Sequence, residues 1–432
     1  MRYPTIKNDY FSGNRRELVS RLKPQSIALL FSSYQMPRNG DQYFPYRQQS
    51  DFFYLTGIEQ EKSILLLAPD AADAKLREVL FILKANKTME IWEGHKLTRE
   101  EATEYSGMKT IRFSEDFESI LHSLIAEMEN LYFNLPELAK FSPEVKSLDA
   151  VKAAQIKENY PLHNYERLAP VLQDLRLKKS DTEIGLMSSA AAITRDAFIR
   201  VLQNTNPDMK EYEIESLITQ EFMRQGASGH AYAPIVAGGA NACVLHYIEN
   251  DSTCMDGDLL LMDFGAEYAN YAADLSRTIP VNGKFSKRQL EVYHATLRVF
   301  KYARSLMKPG TTINKFHAEV CKMWEKEHIA LGLYTEANVK KHKGEDPLWF
   351  NYYMHGTSHF LGLDVHDVGT KDTILEPGMV LTCEPAIYIE KEGIGIRIEN
   401  DILITEKGNR DLMEDIPIEA EEIEQIMQSS GK

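Results

Sequence analysis

The chain has 432 residues, a length that predicts two domains rather than one. Apolar residues make up 43% and charged residues 26%, a balance that is typical of soluble globular proteins. The net charge of -15 repels phosphate backbones, which argues against a nucleic acid as partner.

Cysteine usage and the N-terminal residues bear on location. The four cysteines form no C-x-x-C pair, which excludes a structural zinc knuckle, and such sparse usage fits a reducing compartment. The first ten residues lack the apolar segment of a secretory signal. No apolar run approaches the roughly 20 residues that cross a bilayer. We therefore expect a soluble, cytoplasmic protein without a membrane partner.

The first third of the chain has the pattern of an α/β domain. A capping box at Thr98–Glu101 opens one helix, and a second amphipathic helix is predicted over 117–128. Short apolar runs of strand length are predicted as strands over 25–32, 51–57, 63–68, 78–84 and 130–134. No constellation in this region could perform catalysis alone. We expect residues 1–170 to form a smaller structural or oligomerising domain.

Helices dominate after a proline-containing boundary at 161–177, and we assign residues 171–432 to a second domain. Capping boxes at Ser180 and Ser286 each open a long helix that is followed by a shorter one. The predicted pairs are 181–202 with 211–225, and 287–307 with 314–328. Strand-like segments follow each pair. This repeated order of elements indicates a pseudo-duplicated domain of two helix–helix–strand halves, within an α+β chain.

Between the halves, residues 233–247 are predicted as two short strands that turn at Gly238-Gly239, and 257–265 as a buried strand. The chain then reverses near Ala269-Asn270. In an antiparallel pair, that reversal sets Asp263 opposite Asp274, with Cβ atoms about 5 Å apart.

Further acids and histidines lie among apolar neighbours near the C-terminus. His355, His359 and His366 fall in one run, and Glu384 and Glu399 follow in strand-like segments. Repulsion between buried carboxylates is relieved by a divalent cation. One imidazole and four carboxylates suit manganese, zinc, cobalt or iron, and are enough for two ions about 3.5–4 Å apart. Hydrolysis of an amide or ester is the chemistry that such a site predicts.

Other catalytic readings fit less well. His355 and His359 are four residues apart, but position 356 is glycine, so the zinc-protease signature H-E-x-x-H is not met. Ser358 misses the G-x-S-x-G pattern of serine hydrolases by its last residue. Cys383 fits a small core residue better than a nucleophile.

The run Met354-His-Gly-Thr-Ser-His-Phe-Leu-Gly-Leu-Asp-Val-His-Asp-Val-Gly369 resembles the pita-bread metallopeptidases, and specifically the Xaa-Pro aminopeptidases (aminopeptidase P). The stretches Phe44–Gly57 and Glu90–Gly94 are similar to the N-terminal domain of that family. The resemblance covers about residues 20–110 and 175–412. It implies a C-terminal pita-bread catalytic domain behind the smaller N-terminal α/β domain.

The resemblance also implies roles for individual residues. Asp263 would be a terminal ligand of one ion, Asp274 and Glu399 would bridge both, and His359 and Glu384 would complete the other. Glu384 would also act as the general base. The remaining implied residues would act on substrate: His246 and His366 would line the cleft, His355 would face the proline side, and Arg397 would either steady the carboxylates or contact substrate.

The implied activity is hydrolysis of the bond before a penultimate proline in oligopeptides, with manganese as the favoured metal. A prolidase restricted to Xaa-Pro dipeptides shares the ligands and is the main alternative. A non-catalytic peptide-binding module on the same fold is a remote one, because all five ligands are present. The N-terminal domain would pack against a neighbouring subunit in a homodimer or homotetramer.

Overall fold

The computed structural model describes residues 2–138 and 144–429. The chain divides into two compact units, Tyr3–Arg176 and the residues from Leu177 onward. The boundary expected between residues 170 and 171 falls inside a helix, Ala169–Leu177, and stays a prediction. Among the described residues, no helix has both the length and the apolarity needed to cross a membrane.

The first unit contains eight strands and seven helices among its described residues. The strands are β1 (Ser26–Phe31), β2 (Pro37–Asn39), β3 (Gln42–Tyr43), β4 (Ile64–Leu67), β5 (Glu78–Ile82), β6 (Thr110–Phe113), β7 (Asn130–Phe133) and β8 (Asn164–Arg167). The helices are α1 (Asn8–Val19), α2 (Ser50–Thr56), α3 (Lys87–Glu93), α4 (Arg99–Ser106), α5 (Phe117–Ile125), α6 (Leu148–Asn159) and α7 (Ala169–Leu177). Six strands form one mixed sheet in the order β6-β5-β4-β1-β7-β8.

The central strand β1 explains why this sheet forms. All six of its residues are buried, and it pairs antiparallel with β4 and parallel with β7. A strand covered on both faces has a continuous apolar sequence rather than an alternating one. The strands predicted near 25–32, 63–68, 78–84 and 130–134 are confirmed, as are the helices α4 and α5.

The strand predicted over 51–57 is wrong, because this segment forms helix α2. The Gln49 side chain accepts a hydrogen bond from the Phe52 N–H at the start of the helix, and Gly57 ends it at φ 67°. Residues Phe52 to Thr56 are all buried, so no side of this short run faces solvent. Without a polar face, periodicity does not separate a short buried helix from a buried strand.

The second unit contains eleven strands and six helices among its described residues. The strands are β9 (Gly229–His230), β10 (Ile235–Gly238), β11 (Leu259–Phe264), β12 (Ala266–Tyr268), β13 (Tyr271–Ala272), β14 (Leu275–Pro280), β15 (Val380–Cys383), β16 (Ala386–Ile389), β17 (Ile394–Arg397), β18 (Asn400–Thr405) and β19 (Gly408–Asp411). The helices are α8 (Asp181–Asn204), α9 (Glu211–Arg224), α10 (Lys287–Leu306), α11 (Ile313–Ala330), α12 (Glu336–Lys341) and α13 (Ala420–Ser429).

The two predicted helix pairs are confirmed as α8 with α9 and α10 with α11. Both predicted capping boxes are present, at Ser180 with Glu183 and at Ser286 with Gln289. Strands β9–β14 follow the first pair, and β15–β19 follow the second. One apolar core joins residues of both helix pairs with residues of both strand groups. The helix–helix–strand halves therefore pack as one body.

Of the two strands predicted within 233–247, only the first forms. Strand β10 ends at Gly238, and a 3-10 helix, Gly239–Cys243, follows it. β10 pairs with β11 instead of folding back on a second strand. The Gly238 N–H donates to the Glu211 side chain, at 2.8 Å. A side-chain acceptor thus stands where a partner strand was expected.

Candidate metal centre and active site

The nine predicted site residues line one cavity of about 400 Å³ within the second unit. They come from separate strands and loops, which the fold brings together. The members are Asp263, Asp274, His359, Glu384, Glu399, His246, His355, His366 and Arg397.

Asp263 lies near the end of β11, and Asp274 lies just before β14. The predicted register is wrong by two residues, because Asp263 faces Ser276 rather than Asp274. The turn residues Ala269 and Asn270 both have left-handed φ, of 51° and 65°, and they close a two-residue turn that is centred later than expected. A shift of two residues keeps side chains on the same face.

The two aspartates still meet at one point. The Tyr232 hydroxyl is 2.6 Å from Asp263 Oδ1 and 2.5 Å from Asp274 Oδ1. Next to Asp274, the carbonyl of Ala273 approaches Gly265 so closely that a Cβ there would lie 1.7 Å from it. Only glycine accommodates that approach. This local irregularity separates β13 from β14, and Asp274 lies in the gap.

His359 is fixed by backbone pairing to β15. The Thr382 N–H donates to the His359 carbonyl at 2.9 Å, and the His359 N–H donates to Thr382 Oγ1 at 3.1 Å. Its ring Nδ1 lies 3.0 Å from the Phe360 carbonyl, which assigns the proton to Nδ1. The other nitrogen, Nε2, lies 3.4 Å from Asp274 Oδ2 and 3.8 Å from Glu384 Oε1.

Burial and neighbouring charges shift the pKa values of the groups in this cluster. Burial raises the pKa of all three acids Asp274, Glu384 and Glu399. The pKa of Glu384 rises to about 7, and that of Glu399 lies well above its usual range. Burial lowers the pKa of His359, but the Asp274 and Glu384 carboxylates outweigh it and raise the pKa to about 9. The raised pKa values of the three acids show that their carboxylates lack enough nearby positive charge to offset burial.

A divalent cation fits this donor set. Asp274, His359 and Glu399 each offer one ligand atom, and these atoms lie within 4.8 Å of one another. Asp263 and Glu384 contribute two further carboxylates to the same cavity. Three or more oxygen donors with one imidazole match the preferences of manganese, iron, cobalt or zinc.

Arg397 belongs to a buried network around the carboxylates. Its Nη2 donates to Asp263 Oδ2 at 2.6 Å, its Nε to Ser276 Oγ at 2.7 Å and its Nη1 to the Tyr388 hydroxyl at 2.7 Å. Ser276 Oγ in turn donates to Glu399 Oε2 at 2.7 Å. The guanidinium is therefore placed to orient two of the four acids, Asp263 and Glu399.

The other three histidines differ in environment. His355 has Nδ1 2.7 Å from the Gly356 carbonyl and Nε2 3.0 Å from the Tyr388 hydroxyl, and burial lowers its pKa to about 3. The His366 ring packs edge-on against His359, with centroids 4.5 Å apart. His246 is exposed on the loop that follows the 3-10 helix Gly239–Cys243.

Three residues of the site are missing from the sequence prediction, namely Tyr232, Ser276 and Tyr388. Tyr232 lies three residues before Ile235, which pairs with Asp263. Tyr388 shares a hairpin with Arg397, since Ala386 faces Arg397. The strand alternation of 386–397 could have placed Tyr388 beside Arg397. Tyr232 precedes β10 in an irregular segment, so no strand alternation in the sequence indicates which way its side chain points.

Comparison with known proteins assigns both parts of the chain. The model of metallopeptidase family M24 matches residues 185–406, and that of the aminopeptidase P N-terminal domain matches residues 11–132. An Xaa-Pro aminopeptidase of Haemophilus influenzae is 38% identical, with 98% of each chain covered. One of Escherichia coli K12 is 37% identical, with 99% of each chain covered.

Solved structures agree with these relatives. Aminopeptidase P from Escherichia coli with the inhibitor Pro-Leu has a TM-score of 0.87 and 36% identity, covering 99% of each chain. The Pseudomonas aeruginosa aminopeptidase PepP has a TM-score of 0.87 and 34% identity, covering 98% of this chain and 99% of that one. The α+β class with a pita-bread domain is confirmed. The chain therefore belongs to metallopeptidase family M24, among the Xaa-Pro aminopeptidases, and is a metalloaminopeptidase.

Proposed function

We propose that this chain uses two divalent metal ions to release the first residue of oligopeptides that carry proline at the second position. The observation that carries the proposal is the convergence of the five proposed ligand side chains and three further histidines in one cavity. The relatives support it, since one Escherichia coli aminopeptidase P structure is described in complex with substrate and another with the inhibitor Pro-Leu.

Five side chains would hold the ions. Asp263 would be a terminal ligand of one ion, Asp274 and Glu399 would bridge both, and His359 and Glu384 would complete the other. When bound, the two ions would polarise the scissile carbonyl and lower the pKa of the attacking water. Manganese is the favoured metal, with zinc, cobalt and iron as alternatives.

The protein's own groups would bind substrate and move the proton. Glu384 would take a proton from the attacking water and deliver it to the departing proline nitrogen. His246 and His366 would hydrogen-bond the substrate and the developing oxyanion. His355, which burial keeps neutral, would face the proline ring. The contact between Arg397 and Asp263 favours a role in steadying the carboxylates over a contact with substrate.

The scissile bond explains why a dedicated site is needed. A bond before proline has no N–H, so a peptidase that depends on this donor loses a contact. A site that polarises the carbonyl and receives the pyrrolidine ring does not need that donor.

The test is cleavage of three peptides with manganese supplied: an Xaa-Pro-Xaa tripeptide, an Xaa-Pro dipeptide and a Met-Ala-Xaa tripeptide. We expect cleavage of the first, and its loss in Asp274→Ala. Glu345→Ala, which removes an exposed carboxylate outside the cavity, should keep full activity. Cleavage of the dipeptide alone would instead assign a prolidase. No cleavage while metal is bound would favour a peptide-binding module.

Metal dependence is tested separately. Chelation should abolish cleavage, and manganese should restore it in the wild type but not in Asp274→Ala. Metal analysis should find two ions for each wild-type chain and fewer in the variant. Restoration by zinc, cobalt or iron above manganese would correct the proposed metal.

Assembly and location are further proposals. We expect a homodimer or homotetramer in which residues 1–170 contact a neighbouring subunit. A single 49.4 kDa species in sedimentation would refute it. The sparse cysteines, all four of which are free thiols, favour a cytoplasmic enzyme.

A further inference from the structure

The loop that carries His246 has little regular structure of its own. It runs from Gly239 to Ser252, with a short 3-10 helix at its start and no strand in its described residues. Val244, His246 and Ile248 are exposed. An irregular loop holds a side chain in one place only where other groups anchor it.

A single buried carboxylate provides that anchor. Glu211, the first residue of α9, is 0% exposed. Its Oε1 accepts from the Gly238 N–H at 2.8 Å and from Asn241 Nδ2 at 3.2 Å. Its Oε2 accepts from the Tyr247 hydroxyl at 2.7 Å and from the Ser252 N–H at 2.9 Å. The four donors flank His246 on both sides, and Tyr247 is its immediate neighbour.

Because Glu211 is a buried carboxylate, it strongly opposes movement of the loop away from it. Within the described ranges 2–138 and 144–429, none of the ion pairs includes Glu211. Its charge is therefore stabilised by three donors of the loop, by the Gly238 N–H at the end of β10 and by the positive end of the α9 dipole. If the loop moved away, a buried carboxylate would lose its partners, and that cost opposes the movement. The Glu211 N–H also donates to the Ser252 carbonyl at 3.0 Å, which closes the far end of the loop.

We propose that Glu211 is a positioning residue that fixes the 239–252 loop and thereby holds His246 at the cavity. This inference rests on the proposed function for the consequence in catalysis, but the anchoring itself does not. Among the described residues, Glu211 is not one of those that line the cavity, and its hydrogen bonds go to Gly238, Asn241, Tyr247 and Ser252 rather than to the five proposed ligands. It therefore acts through His246 and not through the metal centre.

The first variant is Glu211→Gln, which keeps the shape of the side chain. It replaces one carboxylate oxygen, which accepts two hydrogen bonds, with an amide NH2 group, which can only donate and would face two donors. We expect kcat/KM for the Xaa-Pro-Xaa tripeptide to fall roughly 10- to 100-fold, as for a misplaced substrate contact. The metal content should not change. Tyr247→Phe removes a single donor and should give a smaller fall, which covers the case where Glu211→Gln does not fold.

The matched control is Glu221→Gln on the same helix. Glu221 is also buried, at 3% exposure, but it accepts from Arg224 and Gln225 and not from the loop. Its replacement should leave kcat/KM within about 2-fold of the wild type, because it removes no contact with the 239–252 loop.

A double-mutant cycle separates positioning from a general structural role. In the His246→Ala background, Glu211→Gln should reduce kcat/KM by less than about 2-fold, because its effect is already lost. The proposal would be overturned if Glu211→Gln reduced kcat/KM by the same factor in the His246→Ala background as in the wild type.

Hydrogen exchange tests the anchor without any activity. In Glu211→Gln, the amides of residues 239–252 should exchange at least about 10-fold faster than in the wild type. In Glu221→Gln, their exchange rates should not change. Unchanged exchange in both would overturn the proposal. If the wild type cleaves none of the peptides, the proposed function fails on its own, and this exchange measurement still decides whether Glu211 anchors the loop.

Discussion

Lys179→Met should destabilise the second unit far more than the same change at its neighbour, Lys178. Lys179 Nζ lies 2.8 Å from Asp367 Oδ2, and both side chains are 1% exposed. Lys178 pairs with Glu376, but those side chains are 54% and 50% exposed. The two lysines are adjacent in sequence and differ in burial, so they form a matched pair.

The magnitudes follow from solvation. Removing one partner of a buried pair takes away the counter-ion of the other and costs about 3–5 kcal/mol. An exposed pair contributes about 0–1 kcal/mol. With a shift of roughly 2–4 °C for each kcal/mol in a unit of this size, Lys179→Met should lower Tm by about 10 °C and Lys178→Met by less than about 4 °C.

Calorimetry gives the two unfolding temperatures, and urea unfolding followed by the fluorescence of the buried Trp324 gives the free energies. The double variant Lys179→Met/Asp367→Asn removes both charges and should recover at least half of the loss. A Lys179→Met free energy of unfolding within 1 kcal/mol of that of Lys178→Met would refute the reasoning. Because Asp367 follows His366, the destabilised variant should also lose activity before it unfolds globally.

Two further predictions concern stability. Burial lowers the pKa of His328 to about 3, so only the unfolded chain binds its proton between about pH 6.5 and 3, and stability falls as the pH falls. Urea unfolding should show that His328→Phe loses about 2 kcal/mol less than the wild type between pH 7 and 5, and equal losses would contradict this. Gly57→Ala should cost roughly 2–4 kcal/mol in the same assay, because φ is 67° and the new Cβ would lie 2.4 Å from the Phe11 ring. Gly185→Ala, at an exposed helical position with nothing within 4 Å, should instead stabilise by about 0.5–1 kcal/mol, and a loss there would count against the steric argument.

Local signals in the sequence were enough for most elements. The capping boxes at Ser180 and Ser286 place two long helices, because cap side chains satisfy backbone donors within three residues. Apolar runs identify β1 and β11, because strands covered on both faces consist mostly of apolar residues. The same reasoning fails at 51–57, where full burial removes the polar face that distinguishes a helix.

The four acids and His359 were predicted from the residues themselves, since acids among apolar neighbours are costly without a role. The family resemblance implied the other four, His246, His355, His366 and Arg397. The spatial relation of these side chains followed from neither. The turn at Ala269-Asn270 set a register two residues from the predicted one, and backbone dihedrals of that kind depend on packing rather than on a strong turn signal.

The sequence by itself determined the helix pairs and the buried strands, because each depends on chemistry within a few residues. Its family resemblance completed the set of side chains that meet in the cavity. Only the tertiary structure decided which groups touch. Tyr232 bridges Asp263 and Asp274, and Glu211 gathers donors from residues 27 to 41 positions away. Such contacts carry no local pattern, since a hydroxyl or a carboxylate finds its partner through the packing of distant elements.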